Sequence, residues 1–255
     1  MELGEKIRFI QDALERMAWH TYPYLASVIG VEDEHGGQHV GSALRIRAGT
    51  RRGIITAAHM IEQARSSYTR LAVSAVLGSP PYEIAGDPHR VALRHDLAIY
   101  FLPDDYPEAE GIGFWPCERA DVSEERLSTD LLFVHGFPSV RSQLSTSGGD
   151  VVSRSLPYGV MRREDDLPEH IAAFQLAMNL DPEKLEGPAR GTVDWLDPYG
   201  LPGSPVWRIG ASGRLVDQWS PELSLTVGIL TRWMPDEKLL VATKWKQVLE
   251  LLEGG

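Results

Sequence analysis

"GIITAAHM", residues 53–60, decides how the chain is read. Gly53-Ile54-Ile55 open an apolar, β-branched run of the kind that forms strands, and the run ends in Thr56-Ala57-Ala58-His59. A histidine after two alanines is by itself ordinary structure, so its weight depends on the neighbourhood. On both sides lie short runs such as "YLASVIGVE", "HVGSALRIRAG", "RLAVSAVL", "HDLAIYFL", "DLLFVHGFP", "IAAFQLAM", "LSLTVGILTRW" and "KLLVATKW". Many alternate apolar and polar residues, and Gly, Pro, Asp and Asn punctuate them. That is the pattern of an all-β barrel or sandwich built from short antiparallel strands.

Only the two ends read differently. Ile7, Ile10, Leu14 and Met17 recur at helical spacing with charges between them, which predicts an amphipathic N-terminal helix. "ATKWKQVLELLE" returns to that spacing through Trp245, Val248 and Leu252 and predicts a C-terminal helix. "PDDYPEAEG" (103–111) and "MRREDDLPEH" (161–170) read as charged surface loops, and "STSGGD" (145–150) as a hairpin turn.

At 255 residues the chain is long enough for one large domain or two halves with a real core. Its net charge of −11 disfavours nucleic acid and anionic membranes as partners. No run of about 18 apolar residues predicts a membrane span. The charged N-terminus does not read as a secretory signal, and the single cysteine, Cys117, cannot form an internal disulfide, so a cytoplasmic setting is expected. Cys117 is expected to be a small core residue without a chemical role. No histidine falls in a metal-ligand spacing and no Gly-rich phosphate loop is present, so neither a metal nor a cofactor is expected.

Four further motifs follow "GIITAAHM" in order: "HDLAIYFL" (95–102), "VHGFP" (134–138), "GLPGSPVW" (200–207) and "VGILTRW" (227–233). Together, over roughly residues 22–252, they resemble the trypsin-like (chymotrypsin-fold) serine peptidases of bacterial type. The resemblance implies an all-β fold of two antiparallel six-stranded β-barrels flanked by the two helices. It divides the chain into a helix at 1–20, a first barrel at 21–110 and a second barrel with the closing helix at 111–255. It makes His59 the general base, aimed into the cleft between the barrels. It makes Asp96 the carboxylate that orients the imidazole and fixes its tautomer. The strand with Thr231, Arg232 and Trp233 then lines the specificity pocket and pairs with the backbone of a bound peptide. Trp233 stands where the family carries a small glycine, which narrows the pocket mouth. Counting back from the "GLPGSPVW" turn puts Leu196 at the pocket floor, with Asp194 and Asp197 as turn residues.

The departure is in "GLPGSPVW". The family pattern G-x-S-G-S/G-P-V matches Gly200, Gly203, Ser204, Pro205 and Val206, but the nucleophile position holds Pro202. Proline has no hydroxyl and no backbone N–H. In this family the oxyanion hole uses the N–H of the nucleophile and of the glycine two positions earlier, so only the Gly200 donor remains. Losing one such donor costs about 3–4 kcal/mol, and losing the nucleophile leaves about 10³–10⁴ over water even with the hole intact. Ser204 would have to act from a shifted position.

Three readings follow. The first is a pseudoprotease, inactive as written, whose inter-barrel cleft binds a peptide or protein segment by strand addition. The alternative is an active serine endopeptidase working by another route. The third is an assembly subunit that docks or oligomerises through the N-terminal helix.

Overall fold

The structure, a computed structural model, describes residues 3–32, 37–74, 81–106, 111–123, 131–139, 142–144, 151–180, 198–209 and 219–254. It opens with α1 (Leu3–Thr21). The first unit follows as β1 (Leu25–Val31), β2 (Gly37–Ala48), β3 (Arg51–Thr56), α2 (Ala58–Ser67), β4 (Arg70–Ser74), β5 (Tyr82–Ile84), β6 (Arg90–Ala92), β7 (Leu97–Phe101) and β8 (Trp115–Pro116). The second unit holds β9 (Leu131–Gly136), β10 (Ser142–Leu144), β11 (Val151–Ser153), β12 (Leu156–Arg162), β13 (Gln175–Asn179), β14 (Pro205–Arg208), β15 (Leu225–Met234) and β16 (Leu239–Lys244), and α3 (Trp245–Glu253) ends the chain.

The second unit is a closed barrel in the order β12-β13-β16-β15-β14-β9, every pair antiparallel. The first is a half-barrel sheet in the order β5-β4-β1-β2-β3-β7-β6, with β8 pairing parallel to β2. Its ends, β5 and β6, are strands of three residues that do not pair with each other. The sheet thus draws in a strand from beyond residue 110.

Strand alternation builds three cores. Successive side chains of a strand point to opposite faces. On β3 and β7, Ile54, Ala98 and Tyr100 fill the first unit, while Ile55, Leu97 and Ile99 face the other way. On β9, β14 and β15, Leu132, Val134, Val206, Val227 and Leu230 fill the closed barrel, while Phe133, Trp207 and Ile229 face outward from it. The outward sets meet in one shared core with Trp115 and with Trp245 and Val248 of α3. These strands are therefore buried on both faces, which is why they read as nearly continuous apolar runs. At about 2–3 kcal/mol for a large buried side chain, this shared layer is what fixes one unit on the other.

α1 covers the same layer. Ala13 and Met17 are fully buried, and Phe9 and Leu14 pack at the edge, Phe9 edge-on to Trp219. The buried stripe thus runs Phe9-Ala13-Met17. Ile10, expected on it, is 38% exposed, because it lies off the line through Phe9, Ala13 and Met17. At its end Thr21 Oγ1 donates to Met17 O (2.7 Å) and accepts from His135 Nδ1 (2.8 Å), while His135 Nε2 bonds Ser155 Oγ at 2.9 Å. The imidazole latches the helix to the closed barrel. α2 corrects the sequence reading, which contains no helix after "GIITAAHM". The hairpin expected at 145–150 lies outside the described residues, as do Asp194, Leu196 and Asp197.

Candidate active site

β3 ends at Thr56, and α2 begins two residues later, so His59 sits in the first turn of a helix whose leading N–H groups lack partners. Asp96 supplies them. Its backbone oxygen accepts from Ala58 N (3.2 Å) and its Oδ1 accepts from His59 N (2.9 Å). Its Oδ2 accepts from His59 Nδ1 at 2.7 Å. A carboxylate at a helix N-terminus is favoured by charge as well as by these bonds. Asp96 does this from the left-handed region (φ 55, ψ 47), which Asp tolerates better than most residues. The turn before it is tied to the other unit, because Thr243 Oγ1 donates to His95 O at 2.6 Å. With Nδ1–H bound to Asp96, the neutral imidazole carries its lone pair on Nε2.

Across the cleft, two tight turns in succession carry Pro202. Leu201 N donates to Pro198 O (3.0 Å) with Gly200 at φ +88, and Ser204 N donates to Leu201 O (2.8 Å) with Gly203 at φ +91. A positive φ at the third position is the signature of a type II turn, and proline is favoured at the second. Leu201-Pro202-Gly203-Ser204 is therefore a turn in which proline is the preferred residue. Both glycines are required. A Cβ on Gly203 would lie 1.8 Å from Ser42 O, and one on Gly200 would lie 2.5 Å from Ser139 Oγ. Beyond the turn, Gly203 N donates to Leu230 O and Leu230 N to Ser204 O, which joins it to β15.

β2 of the first unit grips this loop. Ser42 N donates to Pro202 O (3.0 Å), and Ser42 Oγ donates to Gly200 O (2.9 Å) while accepting from Phe137 N (2.8 Å). His39 Nε2 donates to the same Gly200 oxygen at 3.3 Å, and its Nδ1 accepts from Ser27 Oγ at 2.8 Å. The hydroxyls continue from Ser27 through Ser153 to Ser142, each step 3.0 Å. Burial pushes the His39 pKa down to about 4, partly offset by its backbone bonds, so the imidazole is neutral at pH 7. The Gly200 N–H has no partner among the described residues.

A cleft of about 460 Å³ lies between the units, and His59, His39, Gly200, Pro202, Thr231, Arg232 and Trp233 all line it. Thr231 is buried and its hydroxyl donates to Val241 O at 3.2 Å. Arg232 is exposed and Trp233 half-buried, after a bulge in the β15–β16 ladder. β14 pairs with β15 only as far as Ile229, so the edge of Thr231–Met234 away from β16 has no ladder partner among the described residues.

Ser204 is not on the cleft lining. It is fully buried against Gly136, and its Oγ has no hydrogen-bond partner among the described residues. Cys117 is buried, and its thiol is pushed up to about 12, mainly by burial and then by Glu118. Among the described residues no three His, Cys, Asp or Glu side chains converge as metal ligands, and no helix is long and apolar enough to cross a membrane. His39 and Ser42 are the site residues that motif reading misses. Their signal is polar side chains inside a buried strand, and Gly200 is about 160 positions away in sequence.

No family model and no curated protein matches the sequence. Known structures do. The MamO protease domain from Magnetospirillum magneticum, in its apo form, is 16% identical, with a TM-score of 0.50 over 91% of this chain and 96% of that one. Neuropsin, a serine protease expressed in the limbic system of mouse brain, is 14% identical, with a TM-score of 0.55 over 92% of this chain and 95% of that one. The architecture is that of the trypsin-like serine proteases, and at these identities the likeness speaks for the fold alone.

Proposed function

We propose that the chain is a trypsin-like serine protease homologue that does not hydrolyse peptide bonds. In this reading its cleft holds an extended peptide or protein segment, and the chain acts as a binding or regulatory module. One observation carries the proposal: the proline of a Pro-Gly turn lines the same cleft as His59, and in sequence it matches the nucleophile position of the family the chain resembles. Proline offers neither the hydroxyl nor the second oxyanion donor. The turn itself favours it, because a fixed φ suits the second position and lowers the entropy of the unfolded chain. Neither Ser204, buried away from the cleft, nor Thr231, bonded to Val241, replaces the lost hydroxyl. The edge of β15 that has no ladder partner among the described residues and the apolar walls from Met60, Tyr68 and Trp233 suit an extended chain that adds as a strand.

The alternative, an active serine endopeptidase, is favoured by the His59–Asp96 bond, which keeps a base oriented for proton transfer. It needs another nucleophile, and the hydroxyl on the cleft wall beside Gly200 is that of Ser139. Incubating the chain with fluorescent peptide libraries, read by anisotropy and mass spectrometry, separates the two. Binding without new peptide termini supports the proposal. Cleavage that disappears in both His59→Ala and Ser139→Ala establishes the endopeptidase.

A further inference from the structure

We infer that the cleft selects an extended peptide bearing a carboxylate side chain, and that Arg232 is the residue that selects it. This rests on the peptide-binding reading above and names the chemistry of its ligand. Among the described residues lining the cleft, Arg232 alone carries a fixed charge. It is exposed, and it makes no hydrogen bond or ion pair with any described residue. The carboxylate paired with His59, Asp96, is already engaged: Oδ1 accepts from His59 N and Oδ2 from His59 Nδ1. The group that the pair shows the cleft is an imidazole. The remaining walls are apolar or neutral, with Met60, Tyr68 and Trp233 among them.

Arg232 belongs to the stretch of β15 whose outer edge has no ladder partner among the described residues, so a strand added there passes directly beside it. A guanidinium presents a planar fork of donors that matches a carboxylate and holds its charge at every accessible pH. The protein's net charge of −11 opposes this preference only at a distance. At ~0.15 M salt, charges beyond about 8 Å are largely screened, whereas a contact pair in a cleft is screened much less. Selection therefore comes from the pair.

The test uses the full chain and fluorescein-labelled peptide libraries that fix Asp, Gln or Lys at one position at a time, read by anisotropy at ~0.15 M salt near neutral pH. We expect one position at which Asp binds about two- to fivefold tighter than Gln, the range of an exposed ion pair, with Lys weakest. Arg232→Glu should reverse that order, and Arg232→Gln should flatten it. Each protein serves as its own control, because the order of three libraries on one sample does not depend on how much of it is folded. If peptides bind but Asp and Lys libraries bind alike at every position, or if Arg232→Glu keeps the original order, the selectivity is refuted while peptide binding stands. If no library binds, the peptide-binding reading falls and takes this inference with it.

Discussion

Acid should destabilise this protein before its carboxylates are neutralised, because two histidines are buried inside it in hydrogen bonds that suit the neutral ring. His39 and His135 are buried, and burial lowers their pKa values from 6.5 to about 4 and about 3. Both keep their ring nitrogens in hydrogen bonds that suit the neutral ring. In the unfolded chain they take up protons as the pH drops below 6.5, while in the folded chain they wait until about 4 and about 3. Their contribution is therefore complete above 6.5 and is lost as the pH falls through that value. At 1.36 kcal/mol per pH unit, each costs about 2 kcal/mol by pH 5, about 4 kcal/mol together. That is a large part of a typical total of about 5–15 kcal/mol. Denaturant titrations near pH 7 and pH 5 measure the difference directly. His39→Gln and His135→Gln should each remove about 2 kcal/mol of it, because each takes one late-protonating ring away. Half-buried His20, also lowered by burial, stays in both variants and does not confound the comparison. A wild-type stability that is flat between the two pH values, or an undiminished pH slope in both variants, would show that these two rings do not set the acid sensitivity.

Three further outcomes are expected. Gly203→Ala would push a Cβ to within 1.8 Å of Ser42 O at φ +91, so it should cost about 3 kcal/mol or more in denaturant unfolding. Arg45 is fully buried, with its guanidinium on the Leu25 and Ser74 carbonyls. Arg45→Ala should cost about 2–5 kcal/mol, whereas Arg45→Met, which fills the space without a charge, should fall within about 1.5 kcal/mol of wild type in thermal melts. Met17→Ala, at the fully buried end of the α1 stripe, should cost about 2–5 kcal/mol by the same measurement.

The barrel strands are legible in the sequence because each carries apolar residues to two cores at once, as Ile54 and Ile55 do. Strands of two or three residues, such as β5, β6 and β8, are too short for any periodicity. α2 is hidden because its buried face is Ala58, Ile61 and Ala64, and alanine gives little amphipathic signal. The contact between His59 and Asp96 is legible from two local motifs. The grip of Ser42 and His39 on Gly200 is not, because it is made by one strand and one loop with no shared motif. Pro202 shows the limit most clearly. Sequence marks it as a missing serine, but only the bonds from Ser204 N to Leu201 O and from Ser42 N to Pro202 O show it as part of a built turn.

The most direct test of the central claim is labelling with a fluorophosphonate, followed by intact mass, on wild type, Pro202→Ser and Pro202→Ser with His59→Ala. Pro202→Ser supplies a hydroxyl and a backbone N–H in the cleft that is also lined by His59, whose imidazole Asp96 holds at 2.7 Å. It gives up about 0.4–1 kcal/mol of turn stability, too little to unfold a typical domain. No adduct is expected on the wild-type chain, a weak adduct on Pro202→Ser, and none once His59 is also removed. A wild-type chain that takes up the probe as readily as Pro202→Ser, and loses it with His59→Ala, would instead show a live nucleophile elsewhere in the cleft and a working hydrolase.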